Sequence, residues 1–190
     1  MHKNLKHLSI LLFFSFLSIS LWGQYGPQFD NRGFEQWTNR ASEPTHWHSG
    51  GTADGSYSNY LPDNLIVSST QTRPGSTGNK SVRLVPKEVG FLWWTYVANG
   101  CLTNGRMHAG DTDPDGSGNY NYTQRSENGF NTSINQLPDS LSVWVCFRCT
   151  TTTDKAQVKA VVHGNADYQI IVNQHRIGFF RLRITFFRRF

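Results

Sequence analysis

The sharpest chemical spacing in the chain is Asp111-Thr-Asp-Pro-Asp-Gly-Ser-Gly-Asn119, three aspartates at alternate positions running into glycines. Alternate side chains on a bent loop can turn several hard oxygens toward one point, as Ca²⁺ coordination requires. Asp111, Asp113 and Asp115 would supply carboxylates, Ser117 a backbone carbonyl, and Asn119 a further oxygen or a bound water. The same residues also make a solvated Asx turn, in which Asp and Gly shape the backbone and bind nothing. Calcium is the one cofactor the sequence offers.

A second chemistry lies in the aromatic rings. Sugars present apolar C–H faces that stack on flat rings, while polar neighbours bind their hydroxyls. Trp47, Tyr57, Tyr60, Trp93, Tyr120 and Tyr122 sit in or beside Gly/Asn/Ser-rich segments and are the candidate ligand-binding residues. Adjacent Trp93 and Trp94 must point to opposite faces of a strand, so one of them belongs to the core. Trp37 and Trp144 are read as core too.

Other constellations are thinner. His46-x-His48 places two imidazoles on one side of an extended segment. A zinc site would still need a third ligand such as His108 or His163, and surface histidines are the simpler reading. Neither His-Glu-x-x-His nor Gly-x-Ser-x-Gly occurs. A glycosidase needs two carboxylates about 5 to 9.5 Å apart across a cleft. Glu35, Glu88 and Glu127 are available, but sequence spacing cannot show that any two converge, so no catalytic residue is assigned. Cys146 and Cys149 on one strand would lie about 10 Å apart, beyond disulfide reach of about 7 Å. Cys101 could pair with either; small packed residues are the plainer reading.

The elements that would position these groups begin after residue 23. Lys3 and Lys6 precede an apolar run from Leu8 to Trp22, with Gly23 before Gln24. Residues 1–23 therefore read as a secretory signal peptide, the run being shorter than the roughly 20 residues of a spanning helix. The mature chain is expected to be secreted or at the cell surface, without a transmembrane segment. The formal charge of +5 is a property of the ends. Between Gln24 and His175 lie all 13 acidic residues and 11 of the 18 basic ones, a balance of −2. That excludes nucleic-acid binding by the body.

From Phe29 onward apolar residues do not recur at helical spacing. Phe29–Trp37, Asn64–Val67, Lys80–Val85 and Val89–Val97 read as strands separated by turn clusters. Ser140–Arg148 is the clearest strand, and Lys155–Val162 follows with Ala156, Val158, Ala160 and Val162 inward, suiting an antiparallel hairpin with it. The expectation is an all-β fold, an antiparallel β-sandwich or jelly roll spanning residues 24–170. Residues 171–190 are basic and aromatic. They suit a final strand, an amphipathic membrane segment, or the product of truncation or an altered reading frame. Favouring the last, we expect a sandwich incomplete at the C-terminus.

Gly33-Phe-Glu-Gln-Trp37, Pro44-x-x-Trp47, Gly78-Asn-Lys-Ser-Val-Arg-Leu84, Ala98-Asn-Gly-Cys-Leu-Thr-Asn-Gly-Arg106 and Leu137-Pro-Asp-Ser-Leu-Ser-Val-Trp-Val145 occur in that order. Together they resemble the carbohydrate-metabolism domain family (PCMD) of secreted Bacteroidota proteins and, more loosely, carbohydrate-binding β-sandwich modules. The resemblance covers Phe29 to Tyr168. It implies a jelly-roll-like domain on an exported protein with a glycan link, and it carries no catalytic residues. The aspartate loop resembles the start of an EF-hand loop but has Tyr122 where that loop has its bidentate Glu. The function expected is a non-catalytic module recognising a glycan or cell-surface polymer, steadied by calcium if the loop binds it. The alternatives are a glycan-processing hydrolase using a carboxylate pair and a surface or adhesin domain that binds protein.

Overall fold

The computed structural model describes residues 29–38, 42–91, 93–134, 140–149, 154–163, 167–174 and 178–185. The signal peptide expected at residues 1–23 lies outside them.

The architecture is mostly β and wholly antiparallel in its ladders, without an α-helix among the described residues. Strand β1 (Ile66–Ser69) pairs with β2 (Ser81–Leu84), β3 (Lys87–Phe91) with β4 (Trp94–Ala98), and β5 (Arg106–Ala109) with β6 (Asn119–Tyr122). Strands β7 (Ser140–Phe147) and β10 (Gly178–Thr185) form a longer ladder, as do β8 (Ala156–His163) and β9 (Asp167–Gln174). These are five separate two-stranded sheets. The expected all-β class and antiparallel pairing hold; a closed sandwich or jelly roll is not seen among them.

Strand β7 does not form the expected hairpin with β8. Its backbone pairs instead with β10, Phe147 opposite Gly178 and Ser140 opposite Thr185. The two strands meet through side chains: Leu141, Val143, Val145 and Phe147 pack with Val158 against buried Ala160. Both strands alternate apolar and polar residues, so stacking their apolar faces removes more surface from water than joining their edges would. Alternation also decides Trp144. The odd-numbered positions of β7 face inward, which leaves Trp144 46 % exposed rather than in the core, with the Arg73 guanidinium 5.4 Å from its ring. Strand β9 runs through the boundary drawn at residue 170, and 178–185 of the basic tail take the final-strand form.

Two other stretches differ from the strand reading. Val89–Val97 is a hairpin, with Phe91 paired to Trp94 across its end. Trp93 stands at the tip, 82 % exposed. No Gly, Asn or Asp marks the turn at this tip, so β-forming residues concealed it. Phe29–Trp37 is a looped segment held by Asn31, whose Nδ2 donates to the Gln36 and Thr45 carbonyls at 2.8 and 3.0 Å. Trp37 there makes one isolated bridge to Pro44 and is only partly buried.

The centre of the N-terminal portion is small: Leu65, Ile66, Ala98 and Ala109 are its buried apolar residues, accompanied by buried Glu43, Pro44 and Ser49. Long-range backbone bonds bind the loops to it. His48 and Thr103 exchange bonds of 2.7 and 2.9 Å, and Asp54 N donates to Met107 O at 3.0 Å while Ala109 N donates to Asp54 O at 2.7 Å. The segment around Asp54 thereby occupies the edge of β5 that β6 leaves open.

Candidate functional site

This edge pairing assembles the main polar cluster. Arg106 and His108 are two apart on β5 and share a face. Register places Tyr122 opposite Arg106 and Tyr120 opposite His108, on the same face. Asp54 reaches over that face from the neighbouring segment. Its Oδ1 lies 2.7 Å from His108 Nδ1, and its Oδ2 accepts from the Tyr122 hydroxyl at 2.6 Å. An ionised carboxylate can only accept, so His108 Nδ1 is the donor in this contact. Gly55, at φ +98°, turns the chain directly after Asp54, and a side chain there would run into the Ala109 carbonyl.

Arg106 links this cluster to a cleft. Its Nη1 donates to Gln124 Oε1 at 2.9 Å and to Glu127 Oε2 at 3.2 Å. Its Nε is 3.6 Å from Asp54 Oδ2 and is shut off from solvent without a hydrogen bond. The guanidinium carbon stands 4.8 Å from the centre of the Phe130 ring. Phe130, Arg106 and Glu127 line a cleft of about 390 Å³ together with Gly51, Thr52 and Ala53.

The wall behind the cleft rests on a second network. Glu43 is buried; its Oε1 accepts from Ser49 N at 2.7 Å and Ser49 Oγ at 2.6 Å, and its Oε2 from Thr52 Oγ1 at 2.9 Å. His48 Nδ1 lies 3.5 Å from Glu43 Oε2, and His48 Nε2 donates to the Gly129 carbonyl at 2.8 Å. The His48 and Phe130 rings are 4.2 Å apart. Residues 48–52 and 129–130 are thus joined, and Phe130 is held between elements about 80 positions apart in sequence.

The electrostatics favour ionised carboxylates. Burial pushes Glu43 up, but the hydrogen bonds from His48, Ser49 and Thr52 outweigh it and hold the group below the usual carboxylate range. Desolvation likewise raises Asp54, and bonds from Tyr122 and His108 with the Arg106 charge bring it below its ordinary value. The same bond, donated to a carboxylate, raises the Tyr122 phenol.

The candidate residues from the sequence distribute unevenly. Tyr120 and Tyr122 come together with Asp54, Arg106 and His108; Tyr120 stacks on His108 with ring centres 4.7 Å apart and planes at 23°. Trp47 belongs elsewhere, packed 5.5 Å from Phe29 and 5.2 Å from Phe34 with its Nε1 donating to Asp30 O. Tyr57 and Tyr60 pair with each other at 6.3 Å, and Tyr57 N donates to Ala109 O. Trp93 projects from its hairpin tip.

In the aspartate loop, Asp111 Oδ1 accepts from Asp113 N and Asp113 Oδ1 from Asp115 N, both at 3.0 Å. Asn119 Oδ1 accepts from the Gly110 and Asp111 amides, and its Nδ2 donates to the Asp111 and Asp113 carbonyls. Gly116 packs so tightly on Asp111 that a side chain there would meet its carboxylate. This is the geometry of Asx turns closed by one asparagine. Ser117 is exposed on it. Among the described residues no three His, Cys, Asp or Glu side chains gather as a metal-ligand set.

Of the other chemistry candidates, His46 occupies a turn at φ +67° rather than an extended segment, which separates it from His48. Glu35 Oε1 accepts from Lys80 N, and of the three glutamates only Glu127 lines the cleft. All three cysteines are free. Burial raises the Cys101 thiol, and the bond with Asn121 lowers it only in part, so it stands as a thiol rather than a reactive thiolate.

Asp54, Arg106 and Phe130 were not among the residues picked out by spacing. The alternation Arg-Met-His-Ala opposite Asn-Tyr-Asn-Tyr was the available signal for the ribbon; nothing local pointed to Asp54. In comparisons with family models, curated proteins and solved structures, the chain matches none of them.

Proposed function

We propose that this chain is an exported, non-catalytic carbohydrate-binding module that recognises a glycan or cell-surface polymer through the Arg106–Glu127–Phe130 cleft. One observation carries the reading: an open cleft of about 390 Å³ combines a guanidinium, a half-exposed carboxylate and an aromatic ring. A carboxylate accepts from sugar hydroxyls, a guanidinium donates to them, and a ring edge or face covers C–H groups. The Glu43 and Asp54 networks hold the two sides of the cleft in place, which limits the ordering cost of binding.

Hydrolysis fits these groups less well. A glycosidase needs two carboxylates facing each other across its cleft, whereas among the described residues lining this one Glu127 alone is a carboxylate. The test is a glycan array followed by calorimetry on wild type and Glu127→Gln. Glu127 is half exposed, so this change spares the fold. Loss of one charge-assisted hydrogen bond should weaken binding about tenfold. An array without hits, or equal affinity for both proteins, would overturn the proposal.

A further inference from the structure

We infer that the cleft is one end of a two-site strip, and that the ligand is a chain of at least two uncharged sugar units whose second unit lies on Tyr120. The inference rests on the glycan reading of the cleft. Arg106 and Tyr122 stand at one step of the β5–β6 ladder, His108 and Tyr120 at the next step on the same face. Two residues along a strand span about 7 Å, a step within the reach of two linked sugar units. A chain entering the cleft at Arg106 and continuing along the ribbon therefore meets Tyr120 next.

Tyr120 is suited to that contact. It is 50 % exposed, yet its ring is fixed, stacked on His108 and 5.8 Å from Tyr122. His108 is in turn anchored by Asp54. A rigid ring offered to solvent can bind an apolar sugar face at little cost in side-chain freedom. Asp54 and Glu127 face the single Arg106 guanidinium in this strip. Two carboxylates against one guanidinium leave no surplus positive charge for a carboxylate- or sulfate-bearing sugar.

The test uses the full chain and soluble homo-oligosaccharides of glucose, galactose, mannose and xylose, one to four units long, with matched uronic-acid series. Calorimetry on wild type should show affinity rising about tenfold from one unit to two in a neutral series, and weaker binding of the uronic acids. In Tyr120→Ala that rise should flatten, and in Tyr120→Phe, which keeps the ring, it should persist. Equal affinity for one and two units would overturn the inference while the cleft reading stands. A preference for uronic acids, or an undiminished rise in Tyr120→Ala, would do the same. Binding of none of the series overturns the inference and the cleft reading together. Length dependence and charge preference are read on the wild type, so the outcome does not depend on the stability of a variant.

Discussion

Ser49 and Ala160 are both buried, 3 % and 9 % exposed, and for opposite reasons. Ser49 is inside because Glu43 accepts both of its donors and draws it there. Ala160 is inside because the apolar face of β7 covers it. The segment from 43 to 131 builds its order from short ladders of four or five pairs and from polar side chains that bond across long loops. The segment from 140 onward uses eight-residue ladders and an apolar contact between strand faces. The candidate site falls in the first kind of structure. A polar network fixes hydrogen-bonding groups where a ligand can use them; an apolar contact fixes only shape.

The largest expected difference between the two segments comes from removing a polar partner. Glu43→Ala should cost about 3 kcal/mol in urea unfolding, because the Ser49 and Thr52 donors and His48 are left in a buried space without an acceptor. Val143→Ala in the apolar contact should cost only about 1 kcal/mol, since it removes partly buried methyl groups. Equal costs would erase the contrast.

Acid should act on the first segment through the same groups. Glu43 and Asp54 have depressed folded values, so the stability they contribute is complete above their ordinary values, 4.5 and 3.8. It is lost as pH falls through the lower folded values. The urea midpoint should therefore drop on going below about pH 4, and Glu43→Gln should show a shallower drop than wild type. An unchanged slope in the variant would show that Glu43 is not the group responsible.

The smallest effect sharpens the contrast at its margin. The aspartate loop is closed by its own amides and by Asn119, so Asn119→Ala should cost about 1 kcal/mol, and millimolar Ca²⁺ should leave the melting temperature of wild type where it was. A rise with Ca²⁺ would show that the aspartates can leave their turns to bind the ion, and the loop would then join the site as a metal centre.

Strand character was legible wherever burial alternates. Ser140–Arg148 and Lys155–Val162 were marked by period-two patterns and both contain strands; Val158 and Ala160 of the second face inward as expected, whereas Trp144 of the first, read as core, does not. The turn at Trp93 was not legible, because its residues are themselves β-formers. Tyr120 and Tyr122 were picked out by their type, and the structure places them on the ribbon beside Arg106. Asp54 gave no sign, because its partners His108 and Tyr122 are 54 and 68 positions away.

By itself the sequence determined that this is a β-forming chain with polar turns, since side-chain alternation and Gly/Asn/Asp punctuation act within a few residues. Only the tertiary structure decided which edges pair and which faces stack. Strand β7 could have paired with β8, and took β10 instead while laying its apolar face on β8. It also decided that the segment of Asp54 fills the open edge of β5, which brings a carboxylate onto Arg106, His108 and Tyr122. Backbone donors and acceptors on an open edge accept any extended partner, so the choice among partners rests on the packing of the whole chain.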